Sequence, residues 1–354
     1  MESFAEIPSE VERRVRAGER VVLILLDALG LAFLERHDDH PLVRRLAVTP
    51  LRSQFPSTTT AHVTTMHFGL PVEDHGLYEW NVLEPTLDTV ICPFMFTPSG
   101  APLPGGLLGK LDPAALAPGP SFYRRLGVPC AMFGPRRIDG SPFGTVALDG
   151  AARHPFDELA DGALALAAAM RDPDGPVYAH LYWDLIDAVG HRDGPSSPAF
   201  DAEARAALDA LWTALESLEG VTVLFTADHG QVDVAPDRVD YLDELWPELP
   251  GHLSHAHPAG SSRDCFLHVL PDHVDAVLAG LGDRLDGLAE VRPAASLFPR
   301  VGPLLAARLA DVVVLPVAGR QAWLRSAAGP EQVFRGHHGG LDPAETGTYL
   351  ARLT

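Results

Sequence analysis

The stretch Val21-Val-Leu-Ile-Leu-Leu26, which ends at Asp27, is the first strong structural signal in the sequence. A continuous apolar run of this length, rich in β-branched residues, is typical of a strand buried on both faces of a parallel sheet. Similar runs recur at residues 128–133, 177–182, 221–226 and 311–316, and helical patterns occupy residues 156–170 and 198–218. The alternation predicts an α/β fold with a central, mostly parallel sheet flanked by helices.

The composition of the 354-residue chain is that of a folded, acidic protein. It is 46% hydrophobic and 21% charged, which excludes wholesale disorder. With 27 basic and 47 acidic residues the formal net charge is −20, so long nucleic acid is not an expected partner. The chain also has 16 histidines, and imidazole together with carboxylate suits zinc and similar ions.

The cysteines and the N-terminal segment bear on the cellular compartment. The three cysteines are widely separated and have no Cys-x-x-Cys spacing, which argues against a disulfide framework and against a thiolate zinc site. The N-terminal residues are polar and charged, without the apolar core of a signal peptide, and no apolar run approaches the roughly 20 residues that span a bilayer. We therefore expect a soluble, cytoplasmic protein that does not associate with membranes.

Pro- and Gly-rich segments at residues 98–120 and 135–142 interrupt the α/β pattern. They are typical of irregular connections or of insertions that cover one rim of the sheet. No change in composition marks a linker between independent domains. The sequence therefore predicts a single domain, residues 1–354, with irregular insertions.

Three aspartates, Asp27, Asp187 and Asp228, follow the C-terminal ends of predicted strands. Ligands bind at this edge of open α/β sheets, although a single aspartate there is more often a helix cap or a turn residue. Asp187 and His191 are four residues apart and would share one face of a helical turn. Such a recurrence favours a ligand site over three unrelated caps.

Further nitrogen and oxygen ligands follow in two short motifs, Asp228-His229-Gly230 and His337-His338-Gly339-Gly340. Each motif alone is weak, because an Asp-His pair is often a turn and a His-His pair is often an exposed loop. Together with the aspartates they supply enough ligands for two divalent ions.

The segment Phe55-Pro-Ser-Thr-Thr-Thr-Ala-His62 precedes an apolar run. One interpretation is a helix N-cap, a position that threonine favours. The other is an anion site, because the N–H groups and the positive end of the helix dipole would face a phosphate. A threonine hydroxyl there could act as a nucleophile once a metal ion lowers its pKa.

In this order, the motifs resemble the alkaline phosphatase superfamily, and within it the nucleotide pyrophosphatase/phosphodiesterase (type I phosphodiesterase) family. The stretch Gly69-Leu-Pro-Val-Glu-Asp-His75-Gly76 is similar to the family's segment after the nucleophile. Residues 187–195, Asp-Ala-Val-Gly-His-Arg-Asp-Gly-Pro, are similar to its Asp-x-x-Gly-His-x-x-Gly-Pro motif. The matches span residues 21 to 340.

The resemblance implies an alkaline-phosphatase-like core with two zinc ions, or other divalent transition ions, and Thr59 as the nucleophile. One ion would be held by Asp27, Thr59, Asp228 and His229, and the other by Asp187, His191 and His338. His338 is chosen over His337 because it directly precedes a glycine, as in the family motif. The resemblance also implies that residues 92–150 and 235–262 are insertions on the substrate side.

Three residues are candidates for substrate contacts. Asn81 stands six residues after His75, whereas the family's phosphate-binding asparagine stands five residues after its histidine. Trp80, with its neighbour Tyr78, could stack on a nucleobase, or the pair could belong to an ordinary apolar strand. Tyr182 occupies the position where monoester-cleaving relatives have a magnesium-binding glutamate, which favours diester over monoester substrates.

The resemblance therefore predicts a di-zinc phosphodiesterase or nucleotide pyrophosphatase that hydrolyses small phosphodiester or pyrophosphate substrates through a phosphothreonine intermediate. The alternatives are a phosphonate C–P hydrolase similar to phosphonoacetate hydrolase, a phosphomonoesterase, and a non-catalytic binding protein that metal stabilises on the same fold. His252, His255 and His257, which lie in a Gly/Pro-bounded loop, are expected at the surface rather than at the metal site.

Overall fold

The computed structural model describes residues 1–101, 104–327 and 333–354; residues 102 and 103, within the first predicted insertion, lie outside the described residues. The described β-strands are, in chain order, β1 (Val21–Leu26), β2 (Leu46–Arg52), β3 (Val82–Glu84), β4 (Thr89–Cys92), β5 (Thr97–Pro98), β6 (Cys130–Pro135), β7 (Ala151–Phe156), β8 (Tyr178–Trp183), β9 (Thr222–Thr226), β10 (Val232–Asp233), β11 (Val239–Tyr241), β12 (Ala259–Ser261), β13 (Asp264–Leu267), β14 (Ala289–Pro293), β15 (Val312–Pro316), β16 (Gln321–Trp323), β17 (Gly336–His337) and β18 (Gly347–Leu353).

The described α-helices are α1 (Ile7–Arg16), α2 (Leu31–Glu35), α3 (Pro41–Arg44), α4 (Thr59–Phe68), α5 (Val72–His75), α6 (Phe122–Leu126), α7 (Pro142–Ala147), α8 (Leu159–Arg171), α9 (Leu185–Asp193), α10 (Pro198–Leu215), α11 (Leu242–Leu245), α12 (Val274–Arg284), α13 (Pro303–Ala306) and α14 (Pro343–Thr346). None of these helices is long and apolar enough to cross a membrane. The predicted helix at 156–170 begins later, at Leu159, because Phe156 still belongs to β7.

Seven strands of the described residues form the central sheet, in the order β2-β18-β9-β1-β8-β6-β7. The strands from β9 to β7 run parallel to one another. Only β18 is antiparallel to its neighbours, β9 and β2. The predicted fold class, a mostly parallel sheet flanked by helices, is confirmed.

The side chains of β1 enter two separate apolar clusters. Those of Val22, Ile24 and Leu26 pack with α8 and α10, whereas those of the alternate residues pack with α1, α4 and α6. Because successive side chains of a strand point to opposite faces, helices must cover both faces of the sheet. All six residues of β1 are fully buried, which explains the continuous apolar run.

The register of the central strands decides where polar residues meet. Leu26 at the end of β1 is paired with Trp183 at the end of β8, and Leu25 is paired with Thr226 at the end of β9. The three strands therefore end together, and the residues that follow them emerge at one edge of the sheet.

A second, antiparallel sheet has the strand order β12-β13-β15-β14. The run at residues 311–316 is a strand, but the sequence groups it with the central parallel strands, and that grouping is wrong: it forms β15 of this second sheet. Val313 faces one apolar cluster, and its neighbours Val312 and Val314 face another. Burial on both faces produces the same apolar pattern in an antiparallel sheet as in a parallel one.

A buried ion pair connects the second sheet to the C-terminal part of the chain. Arg263, between β12 and β13, donates from Nε and Nη2 to the two carboxylate oxygens of Glu345, at 3.1 and 2.9 Å. The same carboxylate accepts a hydrogen bond from the backbone N–H of Gly340. Glu345 thereby fixes the loop that contains His338.

We expect Glu345→Ala to lower the free energy of unfolding by about 3–5 kcal/mol, because the guanidinium of Arg263 would stay buried without its partner. Denaturant unfolding followed by circular dichroism measures the change. Glu244→Ala is the matched control: it breaks the exposed pair with Arg325, and its effect should stay below about 1 kcal/mol. Equal losses in the two variants would contradict this role of the buried pair.

Candidate metal centre and adjoining cavity

Three carboxylates meet at the edge where the central strands end. Asp27 directly follows β1, Asp228 follows β9, and Asp187 lies in the first turn of α9, just after β8. Asp27 and Asp228 are fully buried, and 16% of the Asp187 side chain is exposed. Among the described residues, no lysine or arginine forms an ion pair with any of the three.

The surroundings of Asp27 and Asp228 disfavour the charged forms of these two carboxylates. Burial also opposes the charge of Asp187, but His191 beside it outweighs this effect and lowers the pKa of that carboxyl. Burial, together with the charges of Asp228 and Asp187, raises the pKa of Asp27 well above its usual value. Burial likewise raises the pKa of Asp228 to about 7. The Oδ2 atom of Asp228 is buried without a hydrogen-bond partner. A cation at this place would supply the missing partner and stabilise the charged forms.

Three histidines direct one ring nitrogen at the carboxylates. The Nδ1 atoms of His191, His229 and His338 lie 2.7, 3.1 and 3.0 Å from backbone carbonyl oxygens. Hydrogen bonds of this kind orient metal-binding imidazoles, because they leave Nε2 as the coordinating atom. Nε2 of His191 lies 3.3 Å from Asp187, and Nε2 of His338 lies 3.8 Å from the same residue. Nε2 of His229 lies 3.6 Å from Asp27.

Burial and neighbouring charges determine the pKa values of these three histidines. Burial lowers the pKa of His229 and of His338 well below the usual value. Burial also disfavours the charge of His191, but the adjacent Asp187 outweighs it and raises the pKa of His191. Neutral imidazoles are the form that binds metal ions.

The ligand atoms form two overlapping groups. Asp187, His191 and His338 offer one set of atoms within 4.8 Å of one another, and Asp27, Asp187 and His229 offer the other. The first group has the same members as one of the two ligand sets implied by the resemblance. Mixed nitrogen and oxygen donors of this kind fit zinc and related divalent ions.

The start of α4 distinguishes the three consecutive threonines. Thr58 is the N-cap, and its Oγ1 accepts a hydrogen bond from the N–H of Ala61. Thr59 Oγ1 lies 3.4 Å from both Asp27 oxygens and 3.1 Å from Nε2 of His229. The Oγ1 of Thr60 is buried without a partner. The cap interpretation is confirmed for Thr58, and the anion site with Thr59 as nucleophile stays a prediction.

Residues that the sequence did not single out hold these groups in place. Ser57 Oγ accepts from the N–H of Gly339 and donates to the carbonyl of Gly340, which joins the threonine segment to the His338 loop. Gln231 Nε2 donates to Asp187 Oδ1 at 2.5 Å. Ser57 lies within a quoted segment and Gln231 directly follows a quoted motif, but their partners are distant in sequence, so only the fold reveals these contacts.

Tyr182, near the end of β8, donates from its hydroxyl to Oδ2 of Asp27 at 2.5 Å. Burial and the neighbouring carboxylates raise the pKa of this tyrosine well above its usual value, so the hydroxyl stays protonated. Its side chain also lines the cavity beside the carboxylates.

A cavity of about 580 Å³ adjoins the carboxylates and Thr59. Most of its wall comes from the first predicted insertion, residues 92–150, and includes the apolar side chains of Phe94, Met95, Leu108, Met132, Phe143 and Leu148. The same segment also supplies β6 to the central sheet. No described residue of the second predicted insertion, 235–262, lines this cavity.

The predicted substrate contacts separate into two groups. Trp80 is 41% exposed, lines the cavity and packs edge-to-face on Phe94. Tyr78 is fully buried against Phe266, so it cannot stack on a nucleobase. Asn81 is not among the lining residues, because its amide is hydrogen-bonded to Gly260 O and Ser99 Oγ. A phosphate contact of Asn81 stays a prediction.

His337 and the histidines of the Gly/Pro-bounded loop contact residues other than the three carboxylates of this centre. His337 is hydrogen-bonded to Ser262 Oγ and to the carbonyl of Phe334. In the Gly/Pro-bounded loop, His252 contacts His273, His255 contacts Asp88, and the ring of His257 lies against Gly100. These loop histidines belong to neither ligand group of the described residues.

Comparisons with known proteins bear on the family and on the fold. The sequence profile described as type I phosphodiesterase / nucleotide pyrophosphatase matches residues 115–341, more than half of the chain. Among solved structures, murine ectonucleotide pyrophosphatase / phosphodiesterase 5 is similar, with a TM-score of 0.70 and 17% sequence identity over 94% of this chain and 88% of that chain.

Two further structures give nearly the same result. An inactive variant of the murine protein in complex with AMP has a TM-score of 0.69 and 16% identity, covering 94% of this chain and 87% of that chain. The human protein has a TM-score of 0.69 and 15% identity, with the same coverage. At these identities the likeness shows the fold alone. A search of curated proteins finds no match.

We expect zinc to stabilise the chain more at pH 8 than at pH 6. The pKa of Asp228 is raised to about 7 in the folded chain, so its contribution to metal-free stability is present at low pH and is lost as the pH rises through 7. Zinc binds the deprotonated carboxylates and must therefore displace protons below pH 7. Each displaced proton reduces the free energy of zinc binding by about 1.4 kcal/mol for every pH unit below 7.

Thermal unfolding with and without zinc at both pH values measures this difference, and Asp228→Asn is the control. In this variant zinc should raise the unfolding temperature by less than in the wild type, and the increase should depend less on pH. Equal zinc-induced shifts of the wild type at pH 6 and pH 8 would contradict the assignment of the buried carboxylates as ligands.

Proposed function

We propose that this chain, which belongs to the type I phosphodiesterase / nucleotide pyrophosphatase family of the alkaline phosphatase superfamily, hydrolyses small phosphodiesters or nucleotide pyrophosphates with Thr59 as nucleophile and two zinc ions as cofactors. The family profile confirms the resemblance of the sequence motifs. The observation that carries the proposal is the position of the Thr59 hydroxyl, 3.4 Å from Asp27 and 3.1 Å from His229.

The ligand set suits the proposed cofactors. Asp187, His191 and His338 would hold one ion, and Asp27, Asp228, His229 and Thr59 would hold the other. The unpartnered Oδ2 of Asp228 and the Nε2 atoms directed at the carboxylates support this assignment. When bound, such ions lower the pKa of an attacking hydroxyl and neutralise charge on a leaving oxygen.

The proposed reaction has two steps with Thr59 as the carrier. Deprotonated Thr59 Oγ1 forms a bond to phosphorus, and the bond from phosphorus to one substituent oxygen breaks in line, which leaves a phosphothreonine whose phosphorus still carries the other substituent. Water then attacks the phosphorus from the vacated side, and the threonine hydroxyl is restored. The products are an alcohol or phosphate leaving group and a phosphate monoester.

The N-terminus of α4 would stabilise the phosphoryl group during both steps. N–H groups in the first turn of a helix have no intrahelical partner, and the helix dipole favours negative charge there. Thr59 is the first residue of α4. A phosphoryl group bound to its hydroxyl would therefore lie next to these N–H groups, where developing charge is stabilised without reorganisation.

Two features favour a diester or pyrophosphate over a monoester. Tyr182, a neutral donor, hydrogen-bonds to Asp27 where monoester-cleaving relatives have a further acidic metal ligand. The adjoining cavity, with its apolar wall and the exposed ring of Trp80, is large enough to hold a second substituent. AMP is the ligand of one similar structure, which is consistent with a nucleotide in this position.

We expect Thr59→Ala to lower kcat for a chromogenic nucleotide diester by about three orders of magnitude or more, because the variant lacks the nucleophile. Thr60→Val is the matched control, since it removes a buried hydroxyl that has no hydrogen-bond partner and should retain most of the activity. Steady-state kinetics of the zinc-loaded proteins, repeated after a chelator, measure both effects.

A substrate panel separates this proposal from its alternatives. It compares a nucleotide diester, a dinucleotide, a phosphomonoester and phosphonoacetate, each with the wild type and with Thr59→Ala. Turnover of the monoester or of phosphonoacetate alone would refute the proposed substrate class, and full activity of Thr59→Ala with both metals bound would refute the covalent route.

A further inference from the structure

The cavity runs along one face of α4. Thr59, Val63 and His67 all line it, and residues four apart on a helix lie on the same face. With a rise of 1.5 Å per residue, His67 lies about 12 Å from Thr59 along the helix axis. A substituent that extends from a phosphorus atom at Thr59 along this face would reach His67 with its far end.

His67 is connected to two buried polar side chains behind the cavity wall. Its Nδ1 lies 2.9 Å from the hydroxyl of Tyr123, and the same hydroxyl lies 3.3 Å from Nδ1 of His180. All three residues are buried. Burial lowers the pKa of His67 to about 4 and lowers that of His180 well below its usual value, so both imidazoles are neutral near pH 7.

A single hydroxyl between two imidazole nitrogens fixes both tautomers. The Tyr123 hydroxyl has one proton and can donate to only one Nδ1 atom, and the other Nδ1 must donate to it. The shorter contact is on the His67 side, as expected where the hydroxyl donates. The Sδ atom of Met132, 3.9 Å away, is a weaker acceptor.

The second ring nitrogen of His180 supports the same assignment. His180 Nε2 is buried without a hydrogen-bond partner, and an unpaired buried N–H is rarer in proteins than an unpaired acceptor. His180 therefore has its proton on Nδ1, which leaves the Tyr123 hydroxyl free to donate to His67. In consequence, His67 has its proton on Nε2, the ring nitrogen that is not engaged with Tyr123.

We infer that His67 is a specificity-determining residue whose Nε2–H donates a hydrogen bond to a carbonyl oxygen at the far end of the bound substituent. The inference rests on the proposed function, in which the cavity holds a nucleoside attached to the reacting phosphorus. A nucleoside 5′-phosphate extends over a comparable length. At the far edge of a pyrimidine, thymine presents the O4 acceptor where cytosine presents an amino donor. The geometry therefore selects thymine-type over cytosine-type bases.

The test uses two p-nitrophenyl diesters that differ only in the base, thymidine 5′-phosphate and 5-methyl-2′-deoxycytidine 5′-phosphate. For the zinc-loaded wild type we expect kcat/KM to favour thymine by about 3- to 10-fold, the worth of one neutral hydrogen bond. His67→Gln offers an amide that can turn either way, so the preference should fall to near unity through faster cleavage of the methylcytosine diester.

Two further variants separate hydrogen-bond donation from a purely structural effect. Tyr123→Phe leaves the His67 ring in place but removes the hydroxyl that fixes its tautomer, and it should also reduce the preference. His273→Gln makes the same histidine-to-glutamine change outside the cavity and should keep the wild-type preference. An unchanged thymine preference in both His67→Gln and Tyr123→Phe, or equal kcat/KM values in the wild type, would overturn the inference.

A direct observation of the tautomers does not depend on turnover. Long-range proton–nitrogen NMR spectra of the histidine rings should show the proton of His67 on Nε2 and that of His180 on Nδ1. The reverse pattern would overturn the inference even if the diesters were discriminated.

Binding measurements distinguish failure of this inference from failure of the proposed function. If neither diester releases p-nitrophenol, the proposed function fails, and calorimetry with the two nucleoside monophosphates still measures the preference. Tighter binding of the thymine nucleotide that is lost in His67→Gln supports the inference in that case. Equal binding of both nucleotides overturns it.

Discussion

The close approach of three largely buried carboxylates, those of Asp27, Asp187 and Asp228, is the constraint on which the rest of the structure depends. Like charges held together in a desolvated place repel one another, and the raised pKa values of Asp27 and Asp228 reflect this. The surrounding polypeptide contributes imidazoles, a tyrosine hydroxyl and a glutamine amide, but no ion pair from a described lysine or arginine. A bound cation, as proposed for this centre, would stabilise the charged forms of Asp27 and Asp228.

The remaining elements hold these groups at fixed positions. The register of β1, β8 and β9 brings the aspartates to one edge of the sheet, while Ser57 and Glu345 tie down the loop that contains His338. Through Arg263, the second sheet is bonded to the same loop. The second sheet contributes no candidate metal ligand, but it helps to determine the position of His338. Substitutions in this sheet can therefore alter the candidate metal centre without changing any of its ligands.

Local signals in the sequence were enough to predict the central sheet, the aspartates at its edge and the family. These signals are the periodicity of apolar residues and the spacing of residues within each motif. Each of them can be recognised within a single strand or turn. Three other features were not predictable: the sheet to which β15 belongs, the hydrogen bonds of Asn81, and the apolar side chains with which residues 92–150, expected on the substrate side, line the cavity. Each is decided by contacts between segments far apart in sequence, as is the connection of His67 to His180 through Tyr123.

The position of β18 has a consequence for the order of events during synthesis. This strand, residues 347–353, lies between β9 and β2, so β2 has no partner in the central sheet until residues 347–353 have been made. Non-local pairing of this kind delays folding, because a long loop must close before any contact rewards it. The strand β2, which precedes the Thr59 segment, therefore joins the central sheet only after β18 has been synthesised, whereas β1 and the adjoining Asp27 can be positioned earlier by β8 and β9.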